Sequence, residues 1–163
     1  MPRATSKSPT KIATEAPRWL SSDEEAAWRS IAQLLVKLPW AIECQLQRDA
    51  GLSFIEYHAL ARLSEDPRHT LRMSELAMLT NASLSRLSHL VRRLESRGLV
   101  RREVDPADGR FTNAILTKAG YKLLVASAPG HVARVRSLVI DALTSAELGQ
   151  LHDAAERLLA SLD

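Results

Sequence analysis

Seven arginines and no lysine lie between residues 83 and 110: Arg86, Arg92, Arg93, Arg97, Arg101, Arg102 and Arg110. Against them stand Glu95, Glu103, Asp105 and Asp108, which leaves a local excess of three positive charges, as large as that of the whole 163-residue chain. The planar arginine fork matches phosphates and the guanine edge. The chemistry on offer is therefore recognition of a polyanion. Nothing points to catalysis: there is no glycine-rich phosphate loop and no nucleophile elbow. The histidines His58, His69, His89, His131 and His152 show no paired metal-ligand spacing. No enzyme activity, metal or cofactor is expected.

These arginines need two kinds of element to position them. Residues 83–97 fit an amphipathic helix stopped by Gly98. At about 100° per residue, Leu84, Leu87, Val91 and Leu94 share one face. Ser85, Arg86, His89, Arg93 and Ser96 share the other, with Arg92 at its border and Glu95 nearer the core side. Leu99–Val104 and Phe111–Thr117 then alternate as strands around a tight turn containing Pro106 and Gly109. A helix fits the DNA major groove, and a thin hairpin can reach the minor groove. Residues early in such a helix meet base edges, which assigns Ser85, Arg86 and His89 to bases and Ser83, Arg92 and Arg93 to phosphates. Arg110 is expected to enter the minor groove with Asp108 bracing its guanidinium; the bland alternative is a surface ion pair.

The remaining pattern is helical. Only 4% of residues are aromatic while 45% are hydrophobic, so Leu, Ala and Val must fill the core, which favours helices. Residues 1–20 carry three prolines and four cations and read as a flexible basic tail, a solvated and dispensable arm in the plainer reading and a source of nonspecific attraction to phosphates in the sharper one. Ser21 to Glu24 forms a capping box before a helix spanning 21–50, where Pro39 should kink or break the pattern. Ser53 to Glu56 opens a second helix, and a short one follows over 72–79 with Leu76, Ala77 and Leu79 inward. Thr117 caps a helix that Pro129-Gly130 should interrupt, and Thr144 to Glu147 starts the last one. The order gives a mainly α (α+β) fold. Its winged helix-turn-helix lobe spans 51–117, with dimerisation helices over 21–50 and 118–163. Those outer helices are apolar on more than one face, which suggests a homodimer. No apolar run approaches a membrane span and no signal-peptide core is visible, so a cytoplasmic, non-membrane protein is expected.

Three motifs carry a resemblance to a known family. They are Arg97-Gly98-Leu99-Val100-Arg101-Arg102, then Asp105-Pro106-Ala107-Asp108-Gly109-Arg110, then Leu116-Thr117-Lys118-Ala119-Gly120. With Arg72-Met73-Ser74-Glu75-Leu76-Ala77, they make residues 22–161 resemble the MarR family of bacterial winged-helix transcription factors. The resemblance implies a homodimer on a pseudo-palindromic operator of double-stranded DNA, usually repressing nearby genes. It places the family's wing Asp-x-Arg pair on Asp108 and Arg110, its recognition helix on 83–97, and Ser74 on the first helix of the DNA-binding motif. Leu84 departs from a position that is often polar in the family, and either packs or meets a thymine methyl.

Many relatives release DNA when a small phenolic or anionic effector binds between the dimer helices and the lobe. The candidates that this resemblance implies are Trp40, Tyr57, His58 and Arg62; the plainer reading is core or interface. Some relatives sense oxidants through a cysteine. The single Cys44 lies late in the first long helix, where a packed small hydrophobe is the simpler reading. The sequence is thus read as a ligand-responsive repressor acting as a homodimer on an inverted repeat. The alternatives are a thiol-based redox-sensing repressor and a winged-helix module that binds protein.

Overall fold

A computed structural model describes residues 17–162. Residues 1–16, most of the expected basic tail, lie outside that range. By its contacts the chain divides after Leu34. The first long helix, α1 (Ser22–Ala50), begins at the Ser21 capping box, where Ser21 Oγ accepts from the Glu24 N–H at 3.3 Å and Glu24 Oε2 accepts from the Ser21 N–H at 2.7 Å. Pro39 does not break it. That residue lies on an exposed face, where a carbonyl left without its helical donor costs little.

From residue 35 onward, the elements build a lobe around one core. Helix α2 (Phe54–Glu65) is followed by a short strand β1 (Thr70–Arg72) and helix α3 (Met73–Leu79). Helix α4 (Leu84–Ser96) leads into strands β2 (Val100–Val104) and β3 (Thr112–Leu116). Helix α5 (Lys118–Leu138), a 3-10 turn at Ile140–Ala142 and helix α6 (Ser145–Leu159) complete the chain. The sheet order is β1-β3-β2, antiparallel throughout, with Thr70 opposite Ile115 and Val100 opposite Leu116. Leu46, Leu52, Leu60, Leu63, Leu76, Leu87, Leu94, Val91 and Val100 are fully buried and form the centre of the core. Strand β1 was not expected: three residues are too few to show alternation, and pairing with β3 supplies the order.

Local chemistry fixes the joints. The turn between α3 and α4 closes with bonds from Asn81 N–H to the Met78 carbonyl and from Ala82 N–H to the Ala77 carbonyl. Asn81 takes the left-handed conformation (φ 47°) that this closure needs and that asparagine tolerates. Gly98 (φ 69°) ends α4 by the same double bond pattern, to Glu95 and Leu94. At Gly120 the reason for glycine is space: a Cβ there would strike the Leu99 carbonyl oxygen. Thr117 locks this approach, its hydroxyl donating to the Gly98 carbonyl at 2.7 Å and accepting from the Gly120 N–H at 3.0 Å.

Further expectations need correction. Pro129-Gly130 does not interrupt α5. Both residues are exposed, and Gly130 keeps the helix close to Gln45 and Asp49 of α1. Leu79 faces solvent, because α3 ends there and only Met73, Leu76 and Ala77 reach the core. Cys44 is exposed, since its neighbours Gln45 and Leu46 occupy the buried face of α1. Finally, Lys118–Ala142 is long and apolar enough, by length and composition alone, to cross a membrane. One strip of α5 (Gly120, Leu124, Ser127) packs on the lobe, and another (Tyr121, Val125, Val132) is exposed.

Candidate nucleic-acid interface

The N-terminus of α4 sets the interface. Ser83 caps the helix, its Oγ accepting from the Arg86 N–H at 3.3 Å, which leaves its own hydroxyl proton free to donate. Beyond the cap, Ser85, Arg86, His89, Arg92 and Arg93 are all exposed, while Leu87, Leu90, Val91 and Leu94 are buried. The apolar stripe therefore contains Leu90 and not Leu84. Leu84 is 56% exposed, because the first turn of α4 projects past the core that covers the later turns. Ser74 is exposed in the first turn of α3, and together with Leu84, Ser88, Arg102 and Arg110 it lines a cleft of about 440 Å³ between α4 and the hairpin.

The seven arginines separate into groups. Arg97 donates to the Gly51 and Ala50 carbonyls at 2.8 and 3.4 Å and so caps the C-terminus of α1. Arg102 holds Glu95 through two nitrogens, at 3.0 and 2.6 Å, and ties β2 to α4. Arg101 pairs with Glu103. Arg93 donates to Glu56 at 3.0 Å. Burial pushes the Glu56 carboxyl up, but hydrogen bonds from Ser53 and Arg93 outweigh it and hold the group below its usual range. Among the described residues, Arg86 and Arg92 take part in no salt bridge. These two cations on an acid-free face, beside His89, are the ones fully available to a polyanion.

The hairpin tip is built around two aspartates. Asp105 Oδ1 accepts from the Ala107 and Asp108 N–H groups at 2.9 and 3.4 Å. Asp108 grips Arg110 with both oxygens, at 2.9 Å from Nε and 2.6 Å from Nη2. The Arg110 guanidinium and N–H together hold the Asp108 carboxyl below its usual range, and Asp108 in turn raises Arg110. The Arg110 side chain is nonetheless 84% exposed. An exposed pair of this kind adds little stability. What it does is aim a cation outward from a narrow loop.

The suggested effector residues do not converge. His58 and Arg62 touch, Arg62 Nε donating to His58 Nε2 at 3.1 Å. Burial, and then the Arg62 charge, hold that imidazole below its usual value. Tyr57 is buried against His131 of α5, with ring centres 4.5 Å apart. Trp40 is 70% exposed on α1. Sequence reasoning missed the contact of Arg72 with Asp105 and Phe111 at the tip of the hairpin. Their common signal is contact with Arg72 across more than 30 residues of chain, which no local pattern carries.

The family model of the MarR family matches residues 50–110. The transcriptional regulator HosA of Escherichia coli O111:H- is 32% identical over 108 residues, covering 66% of this chain and 71% of HosA. The chain is also similar to Sco3205 of Streptomyces coelicolor, a MarR family transcriptional regulator solved in complex with DNA. It is 44% identical with a TM-score of 0.88, covering 90% of this chain and 92% of that one. AbsC, a MarR family transcriptional regulator from the same organism, is 39% identical with a TM-score of 0.86, over 90% of this chain and 98% of its own.

Proposed function

We propose, from the premise that this chain belongs to the MarR family of transcriptional regulators, that it acts as a homodimeric, ligand-responsive repressor on an inverted-repeat operator. The observation that carries the reading is the acid-free exposed face of α4, with Arg86, His89 and Arg92, set beside a hairpin that aims Arg110 outward. Ser85, Arg86 and His89 are placed on bases. Ser83, Arg92 and Arg93 are placed on phosphates, Ser74 is counted among the DNA contacts, and Arg110, braced by Asp108, is placed in the minor groove. That the similar Sco3205 was solved with DNA supports the same partner here.

The dimer rests on what remains uncovered. Helix α6 has no buried residue at all, and Leu151, Leu158 and Leu159 lie open on it. Trp28, Leu34, Leu35 and Trp40 are exposed on α1, as are Tyr121, Val125 and Val132 on α5. Apolar surface of this extent marks an interface. A two-fold dimer would set two α4 helices one DNA turn apart, which calls for an inverted repeat. An operator occupied in this way excludes the transcription machinery, and an effector bound between the dimer helices and the lobe, near the touching His58 and Arg62, would move the lobes and release it. This reading places the protein in the cytoplasm.

The test is selection of random genomic fragments by the purified chain at moderate salt, followed by sequencing. One enriched inverted repeat supports the proposal. Retention without any motif replaces it with an architectural role, and no retention leaves a protein-binding winged module. The exposed Cys44 thiol favours one second reading, release of DNA by oxidation. Release by peroxide from a Cys44→Ser variant would remove it.

A further inference from the structure

The hairpin tip, residues 105–111, bonds mostly to itself. Asp105 N–H donates to the Phe111 carbonyl, and Phe111 N–H donates to that of Asp108. Among the described residues, the one hydrogen bond that joins this tip to the rest of the lobe comes from Arg72, whose Nε donates to Asp105 Oδ2 at 3.2 Å. Arg72 ends β1 and is the N-cap residue of α3, where its guanidinium has no acceptor to offer the helix N–H groups. It is turned instead toward the hairpin. Its guanidinium carbon lies 4.4 Å from the centre of the Phe111 ring, and that of Arg110 lies 5.8 Å from the same centre.

We propose that Arg72 is a positioning residue for the wing: it clamps Asp105 and Phe111 from the start of α3, and thereby fixes where Arg110 stands relative to α4. The inference rests on the DNA-binding reading above and deepens it.

Three features carry it. The Asp105 side chain is only 11% exposed, and its two oxygens do separate jobs: one closes the wing turn and the other holds Arg72. A shift of Arg72 is thus passed directly to the turn that presents Asp108 and Arg110. The planar guanidinium can donate edge-on to a carboxylate while its face covers a ring, which a lysine ammonium cannot do at once. Lastly, a two-stranded ribbon is marginally ordered by itself. One anchor near its tip restricts it more than the same contact would within the lobe.

The experiment uses a duplex selected by the wild-type chain from a random-sequence pool, with a scrambled duplex of equal length as control. Arg72→Ala is expected to weaken binding to the selected duplex about two- to fivefold, the scale of an exposed cation–ring contact. Phe111→Leu should lose a similar amount, and Arg72→Lys should fail to restore it. In an Arg110→Ala background, Arg72→Ala should add little further loss and leave the salt slope unchanged, because the cation it positions is gone. A further drop of about one unit in the slope in that background would mean that Arg72 contacts a phosphate itself, and would overturn the inference. So would full binding by Arg72→Lys. A wild-type chain that enriches no duplex removes the DNA-binding reading, and this inference with it; any of the other failures removes the inference alone.

Discussion

Leu87 of α4 is completely buried, whereas Leu158 of α6 is 57% exposed, although each sits on an apolar stripe repeating every three to four residues. The winged lobe finds cover for its leucines within its own chain: α2, α3, α4 and the sheet close on one another. Helix α6 finds none. A leucine period shows that a face must be covered, and only tertiary structure shows by what. The lobe's leucines are therefore covered within the chain, whereas those of α6 stay open, and in the proposed homodimer a second copy would cover them.

Leucine truncation gives the largest expected effect and tests that division directly. Leu87→Ala should cost the lobe about 2–5 kcal/mol in urea unfolding, from lost burial plus the cavity left behind. Leu158→Ala should change that unfolding by about 0.5 kcal/mol or less, but lower the dimer fraction seen by light scattering on dilution. Equal losses of lobe stability from the two variants would erase the distinction.

Two capping boxes sharpen the same contrast. Ser53–Glu56 at α2 and Thr144–Glu147 at α6 share the two reciprocal capping bonds. Glu56, however, is buried and also accepts from Arg93 of α4, whereas Glu147 is exposed. Glu56→Gln should destabilise the lobe by about 1–3 kcal/mol, the cost of disturbing a buried, charge-assisted network, and Glu147→Gln should barely move the melting curve. A tolerant Glu56 would mean that the Arg93 contact contributes nothing.

Much of this was legible in the sequence wherever the signal is local. Ser21, Ser53 and Thr144 all start helices through bonds three residues long, and Gly98 stops α4 because only a left-handed residue closes that end. The winged order followed from such marks. Non-local outcomes were hidden. The prolines at 39 and 129 lie on exposed faces that water can serve, so neither breaks its helix. Leu84, expected on the apolar face, is exposed, and Leu90, which was assigned to neither face, is buried, because the core ends before the first turn of α4. The arginines looked alike, yet Arg97 caps α1 and Arg102 braces Glu95, partners set by folding rather than by spacing.

Within the interface the comparison is between α4 and the hairpin. Arg86→Ala should cost about 1–3 kcal/mol on the selected operator and relax base choice, the behaviour of a side chain that reads an edge. Arg110→Ala should weaken specific and random DNA more evenly, with the salt slope reduced by about one unit. Filter binding over a salt series separates the two. If Arg86→Ala lowers affinity for both duplexes equally, α4 supplies charge and not sequence reading.

The smallest expected effect lies where α2 of the lobe meets α5. Burial holds the His131 imidazole below its ordinary value of 6.5, and burial with the Arg62 charge does the same for His58. With folded values depressed, the unfolded chain binds more protons than the folded one as pH falls past about 6.5. Their contribution is therefore complete above that pH and is lost on the way down through the folded values. Glu56 behaves alike in sign but in a lower window: its folded value lies below 4.5, so its contribution is present above 4.5 and lost as pH falls further. Unfolding midpoints between pH 7.5 and 5 should thus decline gently in the wild type, and His131→Gln should flatten the decline without altering the drop below pH 4.5. A slope that His131→Gln leaves untouched would place the sensitivity outside the α2–α5 contact. The lobe, rather than its junction with the outer helices, would then be the part that responds to mild acid.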